Sequence, residues 1–223
     1  MTSAIAFVLA LLVADLPLVV GKAAAGSSQV ELRNTGTQPI NAWAFAISSR
    51  NPNGGIHRVF HSSDVYMSEV TGGLQGAEPH LKPLMPRESR AVPVDPVADD
   101  ASFQALAVVL EDNTALGDDQ TIATFFQKRR AERDELKRVV DIFNTVLPAQ
   151  HGAAALEELK RRFDAGATNE ESVAHRSARQ AVDAWLQRSR TAGDEETDRS
   201  LRNYVAFVSK QYEVAAKHAE RKV

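Results

Sequence analysis

The spacing of apolar residues changes once along this chain, near Gly117. Upstream they alternate or form short blocks, as strands require; downstream they recur every three or four positions, as helices require. Val30 and Leu32 alternate with Gln29, Glu31 and Arg33, which predicts a half-buried strand. Asn34-Thr35-Gly36-Thr37 reads as a turn whose glycine can take positive φ. Ile40–Ile47 predicts a second strand with Trp43, Phe45 and Ile47 on one face and Ala42, Ala44 and Ala46 on the other. Such a strand packs on a core with its large face and is closely approached on its small one. Asn51–Gly55 is a strong turn, and Ile56–Phe60 a third strand. Residues 61–86 are poorly patterned and read as a long loop. Glu88–Val94 reads as another strand. Phe103–Leu110 is apolar enough for burial on both faces, with Asp112-Asn113 as a hairpin turn and Thr114–Leu116 as a short return. Five or six short strands at this spacing suggest a small β-sandwich.

Beyond Gly117 the pattern is helical. Asp118 or Asp119 can cap a helix over about 120–147, with Ile122, Phe125 and Phe126 on its apolar face and Pro148 as its stop. Further helices are expected over 149–163, after the capping box Thr168-Asn169-Glu170-Glu171, and from about Glu195. The last carries Leu201, Tyr204, Val205, Val208, Tyr212 and Ala215 at heptad-like spacing. The short junction at 103–130 implies a joint that locks helix to sheet rather than a flexible linker. The fold class read from these patterns is α+β: a small immunoglobulin-like sandwich over 29–117, then a C-terminal region of about four helices over 118–223.

Three stretches, VELRNTGTQPINAWAF, LMPRESRAV and VVLEDNTALGDD, resemble the immunoglobulin-like domains of uncharacterised bacterial secreted proteins. The resemblance spans residues 29–118. Asn113 stands where such hairpins usually have glycine, and asparagine also tolerates the left-handed region. It implies a fold and an extracytoplasmic compartment, and carries no catalytic residue onto this chain.

Residues 1–25 fit a signal peptide. Ala4–Ala14 is an unbroken apolar run, and Ala23-Ala24-Ala25 offers a cleavage site, with a cut after Ala14 as the alternative. Met1-Thr2-Ser3 lacks the usual basic residue. A membrane anchor is expected only if this segment stays uncleaved, since Asp15 interrupts the ~18 apolar residues a span needs. The expected location is therefore periplasmic or extracellular.

Composition narrows the chemistry. The 223 residues carry a net charge of −3 and no cysteine. No basic excess advertises nucleic acid, and disulfides, thiol catalysis and cysteine-ligated zinc are excluded. Residues 1–117 hold 7 basic and 11 acidic residues, and 118–223 hold 19 and 18. The helical part is charge-dense but balanced, so its run QKRRAERDELKR reads as a solvated face, with Lys128/Glu132 and Arg130/Asp134 at pairing distance along a helix.

Candidate sites are few. Glu111, Asp112, Asp118 and Asp119 cluster around the hairpin and form a candidate interaction or weak cation site. As an EF-hand loop starting at Asp112 they fail, because Leu116 and Ala123 stand at the fifth and twelfth positions. Turn formation and helix capping, with favourable placement at the helix dipole, are the first account of them. His57 and His61 would lie ~13 Å apart on a strand, too far for one ion, whereas His61, Asp64 and His80 converge only if the 61–86 loop folds back. His151, His175 and His218 read as partly exposed helix residues without carboxylate partners, and Trp43 and Trp185 as core. No G-x-S-x-G, H-E-x-x-H, Walker or G-x-G-x-x-G motif is present. No cofactor or catalytic residue is assigned. The expected role is a non-catalytic exported binding or scaffolding module with a protein partner in the cell envelope. The alternatives are a structural protein forming a homodimer through residues 195–221, and a hydrolase or metal-dependent enzyme with a site outside known motifs.

Overall fold

The structure, a computed structural model, describes residues 16–22, 28–50, 53–74, 81–166, 172–189 and 191–222. Among the described residues it is α+β, with two antiparallel sheets and five helices. The first sheet joins β1 (Leu18–Lys22), β2 (Gln29–Asn34) and β5 (Ser89–Pro93) in the order β1-β2-β5. The second joins β3 (Ile40–Arg50), β4 (Ile56–Asp64), β6 (Ser102–Leu110) and β7 (Ala115–Gly117) in the order β4-β3-β6-β7. The side chains of Leu18, Val30, Leu32, Trp43, Phe45 and Val108 meet in one core cluster between the sheets.

The alternation in β3 works as read. Trp43, Phe45 and Ile47 fill the inter-sheet core. On the opposite face Ala42, Ala44 and Ala107 keep the sheet thin, so that Ile122, Phe125 and Phe126 of α2 (Asp119–Val146) lie directly against it. Asp118 caps α2, accepting from the Thr121 backbone N–H at 2.8 Å. Only three residues of β7 separate the hairpin from this cap, and Gly117 makes the junction possible. Its φ is +118°, and a Cβ there would strike Leu106 O. Asn113 takes the hairpin's left-handed position at φ 67°.

The remaining helices, α3 (Gly152–Ala165), α4 (Val173–Ser189) and α5 (Asp194–His218), pack with the far half of α2 around Leu136, Phe143, Leu156, Leu159, Phe163, Val182 and Leu201. The apolar stripe of α5 faces this core, with Leu201 and Val208 buried in it. The capping box 168–171 lies outside the described residues. Ser172, just after it, caps α4 by accepting from the His175 N–H at 3.1 Å.

Three features differ from the sequence pattern. The helix count is five rather than about four, because α1 (Val65–Leu74) occupies part of the segment read as loop. Its apolar residues are weakly periodic and it holds two glycines. Its stability is tertiary: Val70 and Leu74 bury against the bundle, and Asp64 Oδ1 accepts from the Tyr66 and Met67 N–H groups at its start. Second, Gly36 does not use positive φ. It is small because Pro17 lies against it, where a Cβ would come within 2.8 Å of the Pro17 Cβ. Third, most of 1–25 lies outside the described residues, but Leu18–Lys22 within it is strand β1, paired along its whole length with β2.

Candidate functional site

Strand β4 forms one edge of the second sheet, and no described segment pairs with its outer side. The other edge is met just ahead of β7 by the end of the chain: Lys222 bridges in parallel to Thr114, and its N–H donates to Asn113 O at 3.1 Å. Natural sheets blunt a long edge with proline, bulges or charge. The nine residues of β4 contain no proline and expose Ile56 and Phe60, which is 65% accessible, with Arg58 as the exposed charge between them.

Alongside β4 the sheet is not fully covered by α2. A groove of about 520 Å³ opens there, floored by Ala44, Leu106 and Phe125 and walled by β4 and the first turns of α2. This volume lies within the range typical of ligand sites. Arg58, Phe60, His61 and Lys128 stand around it. The Arg58 guanidinium lies 5.1 Å from the Phe60 ring centroid and donates to Gln104 Oε1 at 2.8 Å, which holds it at the rim. Asp118 is the groove's one carboxylate and is engaged by the Thr121 N–H and hydroxyl. Those bonds, with a lesser contribution from Arg58, hold its carboxyl below the usual range. The rim is therefore cationic over an apolar floor. A second hollow of about 370 Å³ lies on the other side of β4, toward β5, lined by Trp43, His61, Lys82 and Arg90.

The four acids read from the hairpin do not converge on one point. Asp112 accepts from the Thr114 N–H at 3.0 Å and pairs with Lys222 at 3.1 Å. The Thr114 bonds, then Lys222, hold its carboxyl at about 2. Asp119 lies 3.5 Å from Arg221. Asp118 is the cap, and Glu111 contributes its backbone, accepting from the Tyr66 hydroxyl at 3.3 Å. The cations that meet Asp112 and Asp119 are thus the chain's own C-terminal Arg221 and Lys222. Among the described residues no group of three metal-ligating side chains is assembled. His61 stacks on Phe45 at 5.1 Å, and His80 lies outside the described residues.

The charged run of α2 is not wholly solvated. Arg129 and Glu132 are buried. Arg129 forms a two-pronged pair with Asp64, at 2.7 and 2.9 Å, donates to His218 O at 3.3 Å, and lies over the Tyr66 and Phe126 rings. Tyr66 stacks on His218 at 3.5 Å and accepts from Asn41 at 2.6 Å. Asn41 sits at an irregularity in the β3–β6 register, which turns its side chain out of the ladder. This polar knot ties β4, α1, α2 and the end of α5 together. Glu132 accepts from the Ala174 N–H at the start of α4, and burial raises its carboxyl above the usual range. The expected pairs also change partners, since Arg130 and Arg133 reach Glu220 and Arg133 takes Asp134.

The helical histidines have partners that the sequence did not reveal. His151 Nδ1 lies 3.0 Å from Asp198, whose other oxygen accepts from the Gly152 N–H. His175 is buried, with Nε2 2.9 Å from Phe163 O and Nδ1 3.5 Å from Glu135. Burial, and then Arg129 and Lys217, push the His218 imidazole down to about 4. One signal for Arg129 was available. It falls on the i, i+3, i+4 stripe running from Ile122 through Phe125 and Phe126 to Leu136. No such signal marked Arg58, Phe60 or Lys128, because their grouping depends on how α2 crosses the sheet.

Compared with family models, curated proteins and solved structures, the chain matches none of them.

Proposed function

We propose that the protein is a non-catalytic, exported binding module of the cell envelope whose binding place is the groove between β4 and α2. The observation that carries this reading is the open edge of β4 bordering an apolar groove with a cationic rim. An unpaired strand offers backbone donors and acceptors for an added strand, and an adjacent groove supplies side-chain selectivity. The fitting occupant is an extended segment of a partner protein with an apolar residue for the Leu106–Phe125 floor beside Phe60 and an acidic residue for Arg58 and Lys128. Charge complementarity selects this class, because among the described lining residues Arg58 and Lys128 outnumber Asp118, the single carboxylate.

The sandwich is read as immunoglobulin-like. Its support is the strand order: first, second and fifth strands in one sheet, and fourth, third, sixth and seventh in the other. That order corresponds to A-B-E facing C′-C-F-G. Export is supported by the apolar run Ala4–Ala14.

Photo-crosslinking in intact cells tests the binding reading. A crosslinker at Phe60 is expected to yield a discrete adduct with an envelope protein, and Arg58→Glu/Lys128→Glu is expected to abolish it. The same crosslinker at Glu213, on the outer face of α5, serves as the comparison. Adducts only between copies of the chain at Glu213 would favour self-association through the last helix. No adduct at Phe60 would overturn the groove.

A further inference from the structure

We propose that the leader is removed by hydrolysis of the Ala14–Asp15 bond, and not at the Ala23-Ala24-Ala25 site that its composition advertises. The proposal rests on the export reading above and goes beyond it by assigning the processing site. The reason is the place of β1. A cut after Ala25 would discard Leu18–Lys22, whose five residues pair with Asn34–Val30 across the first sheet. Leu18 is 3% accessible and belongs to the inter-sheet core, against which Leu16 and Val20 also pack. Upstream of the strand, Pro17 O accepts from the Thr35 N–H at 3.0 Å, and the Pro17 ring occupies the space left by Gly36. Lys22 pairs with Asp99 at 3.0 Å. Contacts to 16–22 thus come from β2, the turn after it and the segment before β6. A leader has no reason to match the mature protein residue by residue, whereas an edge strand must.

Signal peptidases act on the translocating, unfolded chain, so a cut after Ala25 would leave β1 behind with the leader. A cut after Ala14 retains every contact named above. It also follows directly on the apolar run Ala4–Ala14, whose length suits a leader core, and it places Ala14 immediately before the scissile bond, with Leu12 departing from the small residue usual two positions earlier. In the step, water attacks the Ala14 carbonyl within a membrane-bound signal peptidase. The Ala14–Asp15 C–N bond breaks, leaving a carboxylate on Ala14 and an amine on Asp15.

The test is intact-mass and N-terminal determination on the full chain expressed in an exporting bacterial host. The expected N-terminus is Asp15. Ala14→Arg is expected to abolish processing, and Ala25→Arg to leave both yield and N-terminus unchanged. A folded product beginning at Gly26, or loss of processing in Ala25→Arg alone, overturns the inference while leaving export intact. An unprocessed chain confined to the cytoplasm overturns the export reading, and this inference with it.

Discussion

Arg129 shows how one residue can be misjudged from its neighbours. It lies among lysines, arginines and glutamates, yet it is 2% accessible, because its helical phase places it on the face that meets the sheet. Arginine tolerates burial when its fork is filled, and here Asp64 fills it with two hydrogen bonds while Tyr66 and Phe126 cover the plane. Arg129→Ala leaves the Asp64 carboxylate without its cation, held only by the Tyr66 and Met67 N–H groups. It is expected to cost about 3–5 kcal/mol in urea unfolding. His218, stacked on Tyr66 in the same knot, makes a pH prediction. Its folded pKa, about 4, lies below the ordinary 6.5. Between these values the unfolded chain takes up a proton that the folded chain refuses. The stability from this group is complete above pH 6.5 and is lost as pH falls toward 4. Glu132, raised by burial, works in the opposite direction, so the informative quantity is a difference. His218→Gln is expected to show a flatter pH–stability curve than wild type over that window, read by thermal melts at each pH.

At the scale of elements, the hairpin–cap junction couples the sandwich to the helices. The short β7, the positive φ of Gly117 and the Asp118 cap follow one another without slack. Gly117→Ala is expected to cost about 1–3 kcal/mol through backbone strain, and more through the clash of its Cβ with Leu106 O. A Gly-Ser insertion between 117 and 118 is expected to lower the melting temperature, since it detaches the cap from the strand; an unchanged melt would mean independent units. The chain's C-terminus acts as a second tie. Ala219 is fully buried, and Lys222 adds to the hairpin. Truncation after His218 is therefore expected to destabilise at all salt concentrations, whereas Lys222→Ala is expected to matter only at low salt, where its exposed pair with Asp112 is unscreened.

At the scale of the molecule, the groove exists because two packing decisions disagree. The small face of β3 and β6 draws α2 down onto the sheet, but the helix crosses toward β6 and leaves β4 bare. Phe60 is consequently large, apolar and 65% accessible. Phe60→Ala is expected to leave stability within about 0.5 kcal/mol of wild type while abolishing the adduct of a crosslinker placed at Gln120 on the α2 wall of the groove. That combination separates a binding residue from a core residue. Much of this architecture was legible in the chain. The alternation of β3 revealed both of its faces, and the Asp118 cap and the bundle residues Leu136, Phe143 and Leu201 followed from spacing. α1 was not legible, because its helix rests on contacts with the bundle rather than on periodicity. β1 was not legible either, because an apolar edge strand that follows the apolar run Ala4–Ala14 reads as its continuation.

What the sequence determined by itself is local: the periods, the turns, the cap at Asp118 and the left-handed Asn113, all set by interactions within a few residues. The tertiary structure alone decided which charges are buried, which edge stays open and where the acids of the hairpin find their cations. Asp112 meets Lys222 across 110 positions of chain, and Asp64 meets Arg129 across 65. No local pattern encodes such distances. They arise only when the sheet's small face, by admitting α2, brings the hairpin, the start of α1 and the end of α5 together.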